Sequence, residues 1–292
     1  MDIESQQLID RSRGRLPIVM GVLNVTPDSF SDGGCYVDVD EAAKHALEMA
    51  RAGAGLIDVG GESTRPGAAR VSEGEQIVRV VPVIEAVRRE LDAHHFEKVM
   101  ISVDTTRCDV AAAALDAGAG MINDVSAGTE DEGILGLAGE RGVRLCLMHM
   151  KGEPGNMQKD PRYEDVTGEV LVYLMDRSKA AEAAGCHKTN IWIDPGIGFG
   201  KTAAHNLKLL ADLDRFVETG YGVLLGTSRK SMFYAVSPST AKLPENREYA
   251  TAVTSALGVA AGVACIRVHD VAANAQAIET MGAVIEAGEG NV

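Results

Sequence analysis

The sequence predicts an α/β protein whose strands close into a (β/α)8 TIM barrel, and three observations carry that prediction. Eight short apolar runs recur along the chain, at about residues 17–23, 55–60, 98–103, 119–122, 143–148, 189–193, 221–226 and 263–268. Between them lie segments with helical spacing, such as 39–52 and 165–184, rich in Ala, Leu, Glu and Lys. The strands read as nearly continuous apolar runs, which a parallel sheet buried on both faces requires. A count of eight favours closure over an open, doubly wound sheet.

Taken in order, each strand ends in residues capable of chemistry. Asn24 follows the first, Asp58 and Glu62 the second, and Asp104 the third. Asn123 and Asp124 end the fourth, His149 the fifth and Asp194 the sixth. Ser228 and Lys230 follow the seventh, and Arg267 and His269 the eighth. A single polar residue at such a place is as often a strand stop or a helix cap. In a (β/α)8 barrel, however, all strand C-termini open on one face, so eight in succession imply a converging site.

The 292 residues include 28 basic and 42 acidic side chains, a net charge of −14. That balance disfavours nucleic-acid binding through a basic surface, and an anionic substrate would need a local cationic pocket. Five dispersed cysteines form no Cys-x-x-Cys pair, which argues against a disulfide framework or a zinc site and suits a reducing cytoplasm. The first fifteen residues lack a signal-peptide core, and the longest apolar run, 256–266, is too short and glycine-broken to cross a membrane. With no repeat, low-complexity tract or linker inside, the expected organisation is a tail at 1–15, one barrel domain at 16–288 and a tail at 289–292.

Seven segments concentrate the chemistry. GVLNVTPDSFSDGG (21–34) and DVGGESTRPG (58–67) are long polar loops after strands one and two, suited to lids, although turn chemistry alone uses the same residues. ISVDT (101–105) and INDV (122–125) place carboxylates and an amide in the mouth. DPGIGFGK (194–201) looks like a phosphate loop but is not one. Pro195 stands where a Walker motif needs its first glycine, so the Lys201-Thr202 ending is read as coincidence. GTSRKS (226–231) and IRVHD (266–270) follow strands seven and eight, the usual phosphate site of such barrels, and bring Arg229, Lys230, Arg267 and His269 to it. His149 reads as a mouth residue or a packed core histidine, with the structural role favoured. No metal spacing such as His-Glu-x-x-His is present, which leaves room only for a magnesium ion arriving with a diphosphate.

As a set, and in this order and spacing over residues 16–288, these segments resemble the bacterial dihydropteroate synthases. The resemblance implies a homodimeric barrel that joins 6-hydroxymethyl-7,8-dihydropterin diphosphate to 4-aminobenzoate with release of diphosphate. It implies that Asp194 and Asn123 grip the pterin, with Asp104, Met148, Gly226, Lys230 and Arg267 around it. Diphosphate falls to Asn24, Thr64, Arg65, Arg267 and His269, with Asn24 reaching Mg2+. Phe30, Thr64, Arg65, Pro66, Phe199, Lys230 and Ser231 would form the 4-aminobenzoate pocket, and Asp104, Lys230, Arg267 and Asn24 would be catalytic. Two positions depart from the family pattern, Cys35 in the first loop and Ala250 where a glycine often opens the last helices. Two rivals remain: a pterin-binding methyltransferase barrel, which gives no purpose to Ser63, Thr64, Arg65 and Pro66 or to the 228–231 segment, and a non-catalytic pterin-binding paralogue, which should have lost part of this apparatus.

Overall fold

A computed structural model describes residues 16–25, 38–62, 70–152, 157–239 and 241–288. The expected tails and the positions Phe30, Cys35, Thr64, Arg65 and Pro66 lie outside the described residues. Eight parallel strands close in chain order among the described residues: β1 Ile18–Asn24, β2 Leu56–Gly60, β3 Met100–Asp104, β4 Met121–Asp124, β5 Arg144–Met148, β6 Ile191–Asp194, β7 Gly222–Leu225 and β8 Cys265–Val268. Every strand overlaps the span its apolar run predicted, with ends displaced by at most two residues, and β1, β3, β4 and β6 run one or two residues past it.

Side-chain alternation divides each strand between two cores. Val19, Leu23, Ile57, Val59, Ile101, Val103, Ile122, Leu145, Leu147, Ile193, Val223, Leu225 and Ile266 face the helices. The opposite parity fills the barrel interior with Ile18, Met20, Leu56, Met121, Cys146, Trp192, Leu224 and Cys265. Arg144 shares that interior at the start of β5. It is 4% exposed, and its guanidinium lies 4.6 Å from the centre of the Trp192 ring. The cation rests on an aromatic face, an attractive arrangement in a desolvated place.

The outer helices form for local reasons. Asp38 accepts from the Glu41 backbone N–H at 3.0 Å to cap Val39–Arg51, whose apolar face is mostly alanine and therefore packs close to the sheet. Ser72 does the same for Glu73–Ala93, and Thr202 makes a reciprocal capping box with His205 at the start of Ala203–Ala211. Gly262, at φ +81°, ends Glu248–Ala261 in the left-handed conformation that glycine adopts without strain. None of the described helices is long and apolar enough to cross a membrane.

Candidate active site

The inward parity of each strand continues upward from the apolar layers into the polar mouth. Asn24, Asp58, Asp104, Asn123, Met148, Asp194, Gly226, Arg267 and His269 all lie an even number of residues above an interior side chain, so the pleat aims them at the same space. Strand register puts Asn24, Gly60, Asp104 and Asn123 side by side in one row. Gly60 keeps that row open: a methyl group there would stand 3.5 Å from the Asp104 Cβ and 3.8 Å from Asn24 Oδ1.

Arg267 sits lower, in register with Met20, and only its long side chain reaches the mouth. Its Nε donates to Asp58 Oδ2 at 2.7 Å and its guanidinium to Asp104 Oδ2 at 2.9 Å. Asn123 Nδ2 donates to the same Asp58 oxygen at 3.1 Å. Asp58 is fully buried and is the hub of this network; it had been legible only as a polar strand end. Burial works against the charge of Arg267, yet Asp58 and Asp104 outweigh it and hold the guanidinium firmly protonated. For Asp104 the balance runs the other way. Burial and then Asp58 raise its pKa, with Arg267 pulling it back.

On the opposite wall, Asp194 Oδ1 accepts from the Gly196 N–H at 2.7 Å, and its other oxygen lies beside Gly226, where a Cβ would come within 3.8 Å. Burial pushes Asp194 up to about 6, opposed by that N–H and by Lys230, Lys201 and Arg267. Lys230 is half-buried, with its ammonium 4.1 Å above the centre of the Phe199 ring. Burial and Arg267 push it down to about 8, while Asp194 and Asp104 hold it up. The His269 backbone N–H donates to Ser228 Oγ at 3.1 Å, and that hydroxyl lies 2.8 Å from Nδ1 of the same histidine. With the hydroxyl donating, Nε2 carries the ring proton and is a donor for an anion. Ser231 is exposed at the head of the short helix Met232–Val236.

Three residues grouped with the mouth by sequence have other employment. Asp124 has the outward parity and is buried over the following turn, accepting from the N–H and hydroxyl of Ser126 at 2.7 Å and from the Gly128 N–H. Arg229, at φ +59°, turns away to Glu248, with Nε to Oε2 at 3.1 Å, so it does not add its charge to the pocket. Glu62 accepts from the Val71 N–H at 3.1 Å and from Gln76 at 3.0 Å, which joins the residues flanking 63–69. His149 resolves to the packed alternative: it is 6% exposed, its ring is 5.0 Å from that of Tyr173, and burial pushes it down to about 3. Lys201, dismissed as coincidence, is 3% exposed with four hydrogen-bond partners.

The arrangement offers a carboxylate and an amide for the edge of a flat polar heterocycle, and cations on the β7–β8 side for an anion. A model of the family described as "Pterin binding enzyme" matches residues 20–269. A dihydropteroate synthase of Streptococcus pyogenes is 46% identical over 263 residues, covering 90% of this chain and 94% of that protein. The structure of Xanthomonas albilineans dihydropteroate synthase with 4-aminobenzoic acid superposes with a TM-score of 0.84 at 44% identity, covering 93% of this chain and 94% of that one. The same enzyme in complex with 7,8-dihydropteroate gives 0.81 at 41% identity, with 93% and 95% covered. With a match over most of its length to both sequence and fold, the chain belongs to the pterin binding enzyme family and, within it, to the bacterial dihydropteroate synthases of folate biosynthesis.

Proposed function

We propose that the barrel mouth forms 7,8-dihydropteroate by dissociative displacement. Diphosphate leaves 6-hydroxymethyl-7,8-dihydropterin diphosphate first, and the 4-aminobenzoate nitrogen then attacks the exposed methylene carbon. The Asp58–Arg267–Asp104 network carries this reading, because it holds a cation against two carboxylates in the mouth. Asp194 accepts from the parallel N–H groups of the pterin edge, and Asn123, which can both donate and accept, completes that edge. Lys230 donates to the pterin carbonyl and ring nitrogen, and the flat Arg267 guanidinium stacks on the ring. Met148, buried at the same level as Asp194, closes the pocket beneath.

As the carbon–oxygen bond breaks, positive charge grows on the pterin and negative charge on the leaving group. Asp104, at the inner edge of the mouth, stabilises the first, and Arg267 and His269 the second. Asn24, Thr64 and Arg65 complete the diphosphate site. Among the described residues no cluster of three or more His, Cys, Asp or Glu side chains could hold a metal by itself. That donor set fits an ion that retains water and phosphate oxygens, with Asn24 Oδ1 beside the space cleared by Gly60. Mg2+ bound there supplies charge neutralisation to the departing diphosphate. The amine is a neutral nucleophile, so no strong base is needed. Phe30, Thr64, Arg65, Pro66, Phe199, Lys230 and Ser231 enclose it.

The charge of Asp104 matters most in the transition state, so Asp104→Asn should lower kcat about a hundredfold, on the order of 3 kcal/mol, with a much smaller change in pterin affinity. Single-turnover kinetics beside equilibrium binding separate the two, and equal losses would reduce Asp104 to a binding residue.

The working unit is a homodimer. Tyr249, Val253 and Leu257, spaced four apart on Glu248–Ala261, are 89%, 70% and 42% exposed, an apolar stripe suited to a second copy. Sedimentation at micromolar concentration reads this directly, and a monomer would contradict it. Free thiols at Cys108, Cys146, Cys186 and Cys265 support a cytoplasmic location.

A further inference from the structure

The turn after β6 is built on three left-handed glycines. Gly196, Gly198 and Gly200 have φ of +69°, +85° and +63°. A methyl group at Gly196 would lie 1.9 Å from the His149 carbonyl oxygen, and one at Gly200 would lie 2.1 Å from that of Lys151, so the turn is pressed against the end of β5. Such close packing gathers carbonyl oxygens whose dipoles repel one another. Lys201 sits among them. Its Nζ donates to Gly196 O and Phe199 O at 2.9 Å each, to His149 O at 3.2 Å and to His149 Nδ1 at 3.0 Å. His149 is neutral, so its Nδ1 is an acceptor and all four partners of Nζ are acceptors; burial pushes Lys201 itself down to about 7, with Asp194 holding it up.

These partners bracket functional groups. The Gly196 N–H caps Asp194, and the Phe199 ring faces the Lys230 ammonium, whose stem in turn packs on Gly198, where a Cβ would meet Lys230 Cδ at 3.0 Å. We propose that Lys201 is a positioning residue for 4-aminobenzoate: the hydrogen bonds of its buried Nζ tie the β6 turn to the end of β5 and thereby hold Phe199 beneath Lys230. Without those donors the converging carbonyls part, and the aromatic wall loses its place while the strands beneath keep theirs. A substrate held against that wall is then bound less well, with the bond-breaking chemistry at Asp104 little affected.

This inference rests on the reading of Phe199 as a wall of the 4-aminobenzoate pocket, and a double-mutant cycle separates the two. Phe199→Ala, Lys201→Met and the double variant of the full-length protein are compared by steady-state kinetics, with circular dichroism and thermal unfolding as folding controls. Lys201→Met should raise the KM for 4-aminobenzoate about tenfold with kcat changed less than threefold, and the double variant should match Phe199→Ala alone. An unchanged KM in Lys201→Met, or effects that multiply in the double variant, would overturn the proposal. An unchanged KM in Phe199→Ala would remove the pocket reading itself and the proposal with it. Should Lys201→Met not fold, Lys201→Gln, which keeps two N–H donors, takes its place in the cycle. Failure of both to fold would make Lys201 a folding determinant and overturn its positioning role.

Discussion

Asp58→Asn is the perturbation that the mouth's electrostatics constrain most tightly. Asp58 is fully buried, one of its oxygens serves both Arg267 and Asn123, and the other has no hydrogen-bond partner among the described residues. The amide retains one acceptor for those donors but removes the charge and places an N–H2 where nothing accepts. A pair of charges about 4 Å apart at an effective dielectric of about 20 interacts by about 4 kcal/mol. Part of that is retained, because Arg267 is still paired with Asp104 and a neutral acceptor still bonds its Nε. The orphaned donor adds about 1–3 kcal/mol of cost. A net loss of about 2–3 kcal/mol follows, which at about 2–4 °C per kcal/mol for a domain of this size lowers the unfolding temperature by about 4–12 °C. Differential scanning calorimetry of both proteins at pH 7.5 measures it. Because Asp58 also fixes the angle at which Arg267 enters the mouth, kcat/KM for the pterin diphosphate should fall at least about tenfold, ~1.4 kcal/mol. An unfolding temperature within about a degree of the parent would refute the reasoning, since it would mean that the buried carboxylate contributes no net pairing energy.

Two further predictions concern the opposite wall. Lys230→Ala should weaken pterin binding and turnover sharply and leave the circular dichroism spectrum unchanged, because the side chain lies over Phe199 at the pocket surface and not in the packed core; full activity would remove its assigned role. The pH profile of kcat/KM for the pterin diphosphate should be a bell. Asp104, pushed up to about 7, must be ionised for the bond-breaking step and Asp194, pushed up to about 6, must lose its proton to accept from the pterin, which together give the acidic limb; Lys230, pushed down to about 8, must keep its proton to donate, which gives the alkaline limb. Lys230→Ala should abolish the alkaline limb and leave the acidic one, and an identical profile in both proteins would contradict the assignment.

The barrel and the membership of its mouth were legible in the sequence because strand parity is a local property. Once the apolar runs are aligned, Asp104, Asn123, Asp194 and Arg267 each fall on the side that the interior residues occupy. Parity also explains one misreading: Asp124 is adjacent to Asn123 and for that reason faces the other way. What stayed hidden depends on long-range geometry. The barrel's stagger puts Arg267 in register with Met20, and no spacing in the chain says that its side chain climbs to Asp58 and Asp104. Lys201 was hidden for a related reason. Its burial follows from three left-handed glycines pressing one turn against another, and a failed Walker spacing argues only about phosphate, not about what else a lysine does there. Arg229 looked equivalent to Lys230 until the φ of +59° and the position of Glu248 separated them.

The central claim is tested most directly by incubating the purified protein with 6-hydroxymethyl-7,8-dihydropterin diphosphate and Mg2+, with and without 4-aminobenzoate, and following products by mass and diphosphate release. Formation of 7,8-dihydropteroate and diphosphate that depends on both substrates is the predicted result. Pterin binding without that product would contradict the account and return the barrel to the methyltransferase or the non-catalytic reading.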